Sequence, residues 1–213
     1  MRIYCHYCRS VFSNCYIIGT DLPEANAVQL PLRKDAIIVD PGEMDVKMLN
    51  FIEDNDYTLR GILVTHDHPY HVGGLATIMR VYDAPVYAIN PDINEHRTTL
   101  VRDGDIVDVG TFRVEVISIP GHSADSAAFK IGRFLFTGDV LTAGLIGKTA
   151  SSYATANQVS ALRSKILSLP GDYTVLPGQG PPTSLNAERR FNFGIDSFEK
   201  QKNRRRVFRV EYY

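Results

Sequence analysis

The sequence has 213 residues, 44% of them apolar, with 23 basic against 24 acidic side chains and a formal net charge of −1. A chain of this size buries one substantial core or two closely packed halves, and its balanced charge gives no global signal for nucleic acid or a membrane surface, which points to a small-molecule partner. No stretch approaches the roughly 20 apolar residues of a transmembrane helix, and the opening MRIYCHYCRSVFSN lacks a signal peptide's basic region and unbroken apolar core; a cytoplasmic protein is expected.

In chain order, β-like runs are expected at Arg2 to Phe12, Cys15 to Gly19 and Ala36 to Val39. After DPG, the apolar positions Val46, Leu49, Phe51 and Ile52 predict a helix over Glu43 to Asn55. Strands at Gly61 to Thr65 and Pro85 to Ile89 flank a second, shorter helix over Val72 to Val81. The second half repeats the logic, with strands at Asp105 to Val109, Phe112 to Ile119, Ser126 to Ile131 and Phe134 to Thr137, a helix near Asn157 to Leu169, and YTVL before PGQGPP. Two β-rich halves that each carry helices predict two packed sheets with helices outside. From Lys200 to Arg209 the chain is mostly basic and then closes on VEYY. One domain with a basic tail from about residue 199 is expected, the tail being a solvated helix end followed by an edge strand or docking segment in preference to a nucleic-acid patch.

Cys5, Cys8 and Cys15 are odd in number, and cytosolic thiols stay reduced, so no disulfide framework is expected. Cys5 and Cys8 form a C-x-x-C around His6, which reads as half of a zinc site, a redox pair, or a strand whose thiols sit among aromatics. No second C-x-x-C answers it, and the alternation of RIYCHYCRSVF favours the strand.

The stretch VTHDHPYHVGG concentrates chemistry. In an extended backbone alternate side chains share a face, so His66 and His68 project together from the strand end as a chelating pair, and His71, at the start of the next helix, can turn back toward them. Three imidazoles so close point to a metal. Ligands from elsewhere are expected at other strand ends: His122 in ISIPGHSADS and Asp139 in FLFTGDVL. Three imidazoles with one carboxylate suit zinc or iron. Ser123, Asp125 and Ser126 beside His122 could suggest a serine nucleophile, but the metal set explains the neighbourhood better, with Ser123 or Asp125 orienting His122.

THDHPYH, PGHS, TGD and LPGQGPPT, in that order with wide gaps, resemble the motifs of the metallo-β-lactamase superfamily from about Ser13 to Phe193. SNCYIIG, VDPG, LIGKT and AERRFN make the chain look most like the small glyoxalase II-like (hydroxyacylglutathione hydrolase-like) branch. The resemblance implies an α/β fold, a four-layer αββα sandwich, with a metal site at one sheet edge that is usually binuclear and hydrolyses thioesters, esters, lactams or phosphodiesters. It also implies a first metal site of His66, His68, His122 and a bridging Asp139, and a second of His71, Asp139 and two further ligands. Those two are replaced here. The family's T-H-x-H-x-D-H has Tyr70 where the aspartate stands, and its P-G-H-G is Pro177-Gly178-Gln179-Gly180.

One firmly held ion is therefore expected, zinc in the first instance with iron or manganese as alternatives, and a second site that is weak or absent. Tyr70 either fills the emptied space with its ring or donates a hydrogen bond to the activated water or the substrate's developing oxyanion. His71, released from a complete second site, becomes a candidate proton shuttle. The expected function is metal-dependent hydrolysis of a small thioester or ester with Asp139, His71 and Tyr70 as catalytic groups. The alternatives are a mononuclear iron, persulfide dioxygenase-like enzyme using His66, His122 and Asp139, or an inert metal-binding module. No nucleic-acid or membrane partner is expected.

Overall fold

Alternate burial along RIYCHYC makes β1 (Arg2–Cys8) an edge strand, exposed at Arg2 and closed over at His6 and Cys8. In the computed structural model, which describes residues 1–20 and 34–198, it pairs antiparallel with β2 (Ser13–Gly19), from Arg2 opposite Gly19 to Cys8 opposite Ser13. β2 and β3 (Asp35–Val39) are buried along their whole length, as central strands must be. α1 (Val46–Asp54) starts where Asp45 accepts the Met48 amide at 3.0 Å. It returns the chain to β4 (Thr58–Leu63), parallel to β3. α2 (Pro69–Val72) and α3 (Leu75–Val81) lead to β5 (Val86–Ala88). A two-stranded hairpin, β6 (Asp92–Ile93) and β7 (His96–Arg97), then precedes β8 (Thr99–Leu100). The first sheet runs β1-β2-β3-β4-β5-β8.

The second sheet is built from β9 (Ile106–Val109), β10 (Phe112–Ser118), β11 (Ala127–Ile131) and β12 (Phe134–Gly138), an antiparallel meander. After the hairpin β13 (Leu141–Thr142) and β14 (Leu145–Ile146) comes α4 (Ser152–Ala161), which widens into a π-helical turn over Leu162–Ile166. β15 (Thr174–Pro177) then pairs parallel to β12, β16 (Thr183–Ser184) forms the edge, and α5 (Leu185–Phe191) follows.

Adjacent residues point to opposite faces, and this sorts the core into three layers. Ile18, Ile37 and Leu63 of the first sheet pack against Val116, Phe129, Phe136 and Leu176 of the second. Their neighbours Ile17, Ile38 and Ile62 face Met48 and Ile52 of α1 and Leu75 and Ile78 of α3. On the far side, Ile117, Leu135 and Val175 meet Leu162, Ile166 and Leu185. The result is the expected αββα sandwich. No helix among the described residues is long and apolar enough to cross a membrane.

Several boundaries differ from the sequence reading. β1 stops at Cys8 and not Phe12, because the Arg9 and Ser10 amides leave the ladder to donate to Glu43, and Phe12 turns at φ 56°. The expected single helix over Val72 to Val81 breaks at Gly73-Gly74, where the backbone passes against Gly42 and Glu43. α4 begins at Ser152 and not near Asn157, capped by Ser151, whose Oγ accepts the Ala154 amide at 3.1 Å. α5 was not anticipated. The expected basic tail lies outside the described residues.

Candidate metal centre

The ends of β3, β4, β12 and β15 meet at one rim of the sandwich, and the chain beyond each carries the polar residues. β4 ends at Leu63, two residues before the expected Thr65, so His66 and His68 do not project from an extended strand. A tight turn, with the His68 amide donating to the His66 carbonyl at 3.0 Å, brings them together instead.

Five side chains singled out from the sequence converge here. His66 Nε2 lies 2.9 Å from His68 Nδ1, which lies 3.1 Å from His122 Nε2. His71 Nε2 is 3.3 Å from Asp139 Oδ1, and His122 Nε2 is 3.8 Å from Asp139 Oδ2. Two overlapping groups result, His66 with His68 and His122, and His66 with His71 and Asp139, each with its donor atoms within 4.8 Å of one another.

Neighbouring groups fix the tautomers. Thr65 Oγ1 donates to Asp40 Oδ2 at 2.7 Å and so accepts from His66 Nδ1 at 3.0 Å, which leaves the lone pair of His66 Nε2 facing inward. His122 Nδ1 donates to the Lys148 carbonyl at 2.8 Å, with the same consequence for its Nε2. Neither Ser123 nor Asp125 orients His122, contrary to expectation. Ser123 bonds Ser126, and Asp125 accepts the Asp67 amide at 2.8 Å. Asp40 Oδ1 also accepts the Thr65 amide at 2.8 Å, and its Oδ2 stands 3.3 Å from His71 Nδ1.

Burial, followed by the charge of His71, pushes the His66 imidazole down to about 4. Burial, then His122, also lowers His68. Both are thus held neutral, the form that ligates. Burial alone would lower His71, but its contacts with Asp139 and Asp40 dominate and raise it to about 10. Burial would raise Asp139, yet His71 and then His66 and His122 hold it below the usual carboxylate value.

Glycine makes the rim fit together. A Cβ on Gly178 would stand 2.4 Å from His71 Cε1 and 2.9 Å from Asp139 Oδ1. The Gly178 turn is pinned from β2: the Asn14 amide donates to the Gly178 carbonyl at 2.7 Å, and Asn14 Nδ2 donates to the carbonyls of Pro177 and Gly180 at 3.0 and 2.7 Å. Tyr16 Oη donates to Pro177 O at 2.7 Å.

Tyr70 is 51% exposed, so its ring does not simply fill a buried vacancy, and its carbonyl accepts Ser13 Oγ at 2.6 Å. Gln179 is partly buried between Gly178 and Gly180. Sequence reasoning missed Asp40, Thr65 and Asn14. VDPG, THDHPYH and SNCYIIG carried them, but only as parts of a resemblance.

The donor set fits a divalent metal. Three imidazole nitrogens crowd together with too few protons to satisfy one another, while Asp139 Oδ1 and both His71 nitrogens are buried without a hydrogen bond.

Comparison with known proteins agrees. Residues 11–189 match the family described as the metallo-beta-lactamase superfamily. A hydroxyacylglutathione hydrolase of Idiomarina loihiensis is 35% identical over 150 residues, 70% of this chain and 58% of that one. A second, from Yersinia enterocolitica, is matched over 56% of its length, so the chain spans little more than half of these two relatives. Hydroxyacylglutathione hydrolase GloC of Haemophilus influenzae is 28% identical over 210 residues, 86% of this chain and 93% of that one. The crystal structure of ETHE1 from Myxococcus xanthus superposes with a TM-score of 0.76 at 27% identity, covering 92% of this chain and 85% of that one. With its two helix-flanked sheets, its histidine-rich rim and a family match along most of its length, the chain belongs to the metallo-β-lactamase superfamily.

Proposed function

We propose that the chain is a metal-dependent hydrolase of a small thioester or ester, with one firmly bound ion, zinc in the first instance. The observation that carries this reading is the convergence of the inward-facing nitrogens of His66, His68 and His122 beside Asp139. The chemistry a bound divalent metal supplies is acidification of water toward a pKa of about 7 and polarisation of a carbonyl. His66, His68 and His122 would hold it, with Asp139 as the anionic ligand. Thr65 and the Lys148 carbonyl keep the imidazoles oriented. His71 is fully buried between Asp40 and Asp139, which suits it to holding Asp139 in place better than to exchanging protons with solvent. Tyr70, half exposed and adjacent in sequence to His71, would offer its hydroxyl to an incoming acyl group. Thioesters are favoured because relatives that match most of this chain are named hydroxyacylglutathione hydrolases.

The test compares metal content and turnover of the wild type with a His66→Ala/His122→Ala variant. The expected difference is one ion per chain, with hydrolysis of a small acyl thioester falling to background. A difference of two ions would show the second position filled, and a wild type inactive on thioesters, esters and lactams with zinc, manganese or iron supplied would refute the hydrolase. Iron with oxygen consumption would transfer the site to the dioxygenase reading. Replacing Tyr70 with Phe should lower turnover about tenfold or more if its hydroxyl acts on the substrate.

A further inference from the structure

A second group of metal-ligating side chains lies outside the rim, where β1 passes the loop that leads into α1. His6 and Cys8 are alternate residues of β1 and share its inner face, at 5% and 0% exposure. Glu43 and Asp45 come from the loop opposite. His6 Nε2, Cys8 Sγ and a Glu43 carboxylate oxygen lie within 4.8 Å of one another. His6 Nε2 is 3.6 Å from Glu43 Oε1 and 3.5 Å from Asp45 Oδ2.

Both carboxylates are already held by other bonds. Glu43 accepts the Arg9 amide at 2.9 Å and the Ser10 amide and hydroxyl. Asp45 Oδ1 caps α1. His6 Nε2 is buried, comes no closer than 3.5 Å to either carboxylate and makes no hydrogen bond of ordinary geometry, an arrangement costly in a folded protein. The spacing has a simple reading. Tetrahedral zinc with nitrogen and oxygen bonds of about 2.0–2.1 Å sets its ligand atoms roughly 3.3–3.4 Å apart, close to the separations around His6.

We propose that His6, Cys8 and Glu43, with Asp45 as the fourth donor, form a structural metal site for zinc or a similar borderline divalent cation, separate from the rim centre. The mixed nitrogen, sulfur and oxygen set suits such ions over calcium or magnesium. The site ties β1 to the loop that carries Asp40 at one end and α1 at the other. Burial pushes the Cys8 thiol up to about 11, so without a cation it stays protonated, and binding releases its proton.

Cobalt(II) provides the direct test, because a thiolate ligand gives a near-ultraviolet charge-transfer band and the rim groups contain no cysteine. The band is expected in the wild type and in His66→Ala/His122→Ala. It should disappear in Cys8→Ser and persist in Cys5→Ser. No band, or a band that survives Cys8→Ser, overturns the proposal. A second measurement does not depend on Cys8→Ser folding. At a hundredfold excess over Kd, zinc should raise the Tm of His66→Ala/His122→Ala by roughly 5–10 °C and leave the Tm unchanged when His6→Ala is added, whereas equal shifts overturn it. Neither readout depends on the hydrolase reading.

Discussion

Replacing Asp40 with Asn tests how the rim orients its ligands. Asp40 Oδ1 accepts the Thr65 amide and Oδ2 accepts the Thr65 hydroxyl, which in turn faces His66 Nδ1 at 3.0 Å. The introduced amide must keep its oxygen toward the Thr65 amide, a fixed donor, so its NH2 faces Thr65 Oγ1. That hydroxyl then accepts from the new NH2 and can donate only toward His66 Nδ1, and the imidazole proton moves to Nε2, the atom that faces the centre. Loss of such a supporting group costs about 10–100-fold in metal affinity, or roughly 1.4–2.7 kcal/mol. Removing the charge-assisted bond weakens folding by a further 1.5–3 kcal/mol or so. Competition against a chelator measures the first quantity, and urea unfolding of the metal-free protein the second. Thr65→Val interrupts the same chain, so the double variant should lose no more metal affinity than the weaker single one. Wild-type affinity in Asp40→Asn, or additive losses, would refute the relay.

Other expectations follow from the same geometry. Gly178→Ala should cut turnover at least about tenfold, because its Cβ would sit 2.4 Å from His71 Cε1 and displace the ring from Asp139; wild-type kinetics would mean that the turn yields without cost. Asn14→Ala should destabilise by about 1–3 kcal/mol in urea, since Pro177 O keeps Tyr16 Oη and the exposed Gly180 carbonyl can turn to water. Tyr16→Phe should cost less, about 0.5–1.5 kcal/mol. For Asp103, burial raises the carboxyl, but Lys165 and the Ser118 amide outweigh it and lower its pKa. Its contribution is present above the unfolded carboxylate pKa and is lost as the pH falls through the folded one. Asp103→Asn should therefore lower Tm at neutral pH, with the gap from wild type closing in acid; a gap that is constant with pH would contradict the assignment.

The fold was legible where burial imposes a period. Ile17-Ile18, Ile37-Ile38 and Ile62-Leu63 are strands buried on both faces, and their short apolar runs between turn signals marked them. α5 escaped notice because LNAERRF buries only Leu185 and Glu188, too little to raise a helical stripe. The Gly73-Gly74 break is set by its approach to Gly42 and Glu43, and the end of β1 by the bonds of the Arg9 and Ser10 amides to Glu43, tertiary contacts that local propensity does not encode. At the rim, His66, His68, His71, His122 and Asp139 were visible because their residue types are improbable at strand ends without a metal. Asp40 and Asn14 were not, since each acts by hydrogen bonds to residues 25 and more than 160 positions away.

The rim is electrostatically lopsided, and this bears on how many ions it can hold. Two divalent cations about 3.5–4 Å apart repel by roughly 15–20 kcal/mol at an effective dielectric of about 20, and anionic ligands must offset that repulsion. Here His66, His68 and His122 are imidazole ligands that bring no negative charge, and Asp139, in the group with His66 and His71, is the carboxylate that both positions approach. Position 70 supplies a half-exposed phenol and position 179 a neutral amide. Asp40 does approach His71, but both its oxygens are committed to Thr65. One cation beside Asp139 leaves the cluster near a single positive charge; a second would raise it to about three with no new anion to oppose it. We therefore expect single occupancy, with Asp40 orienting His66 through Thr65 and not ligating; two tightly held ions at the rim would refute that expectation.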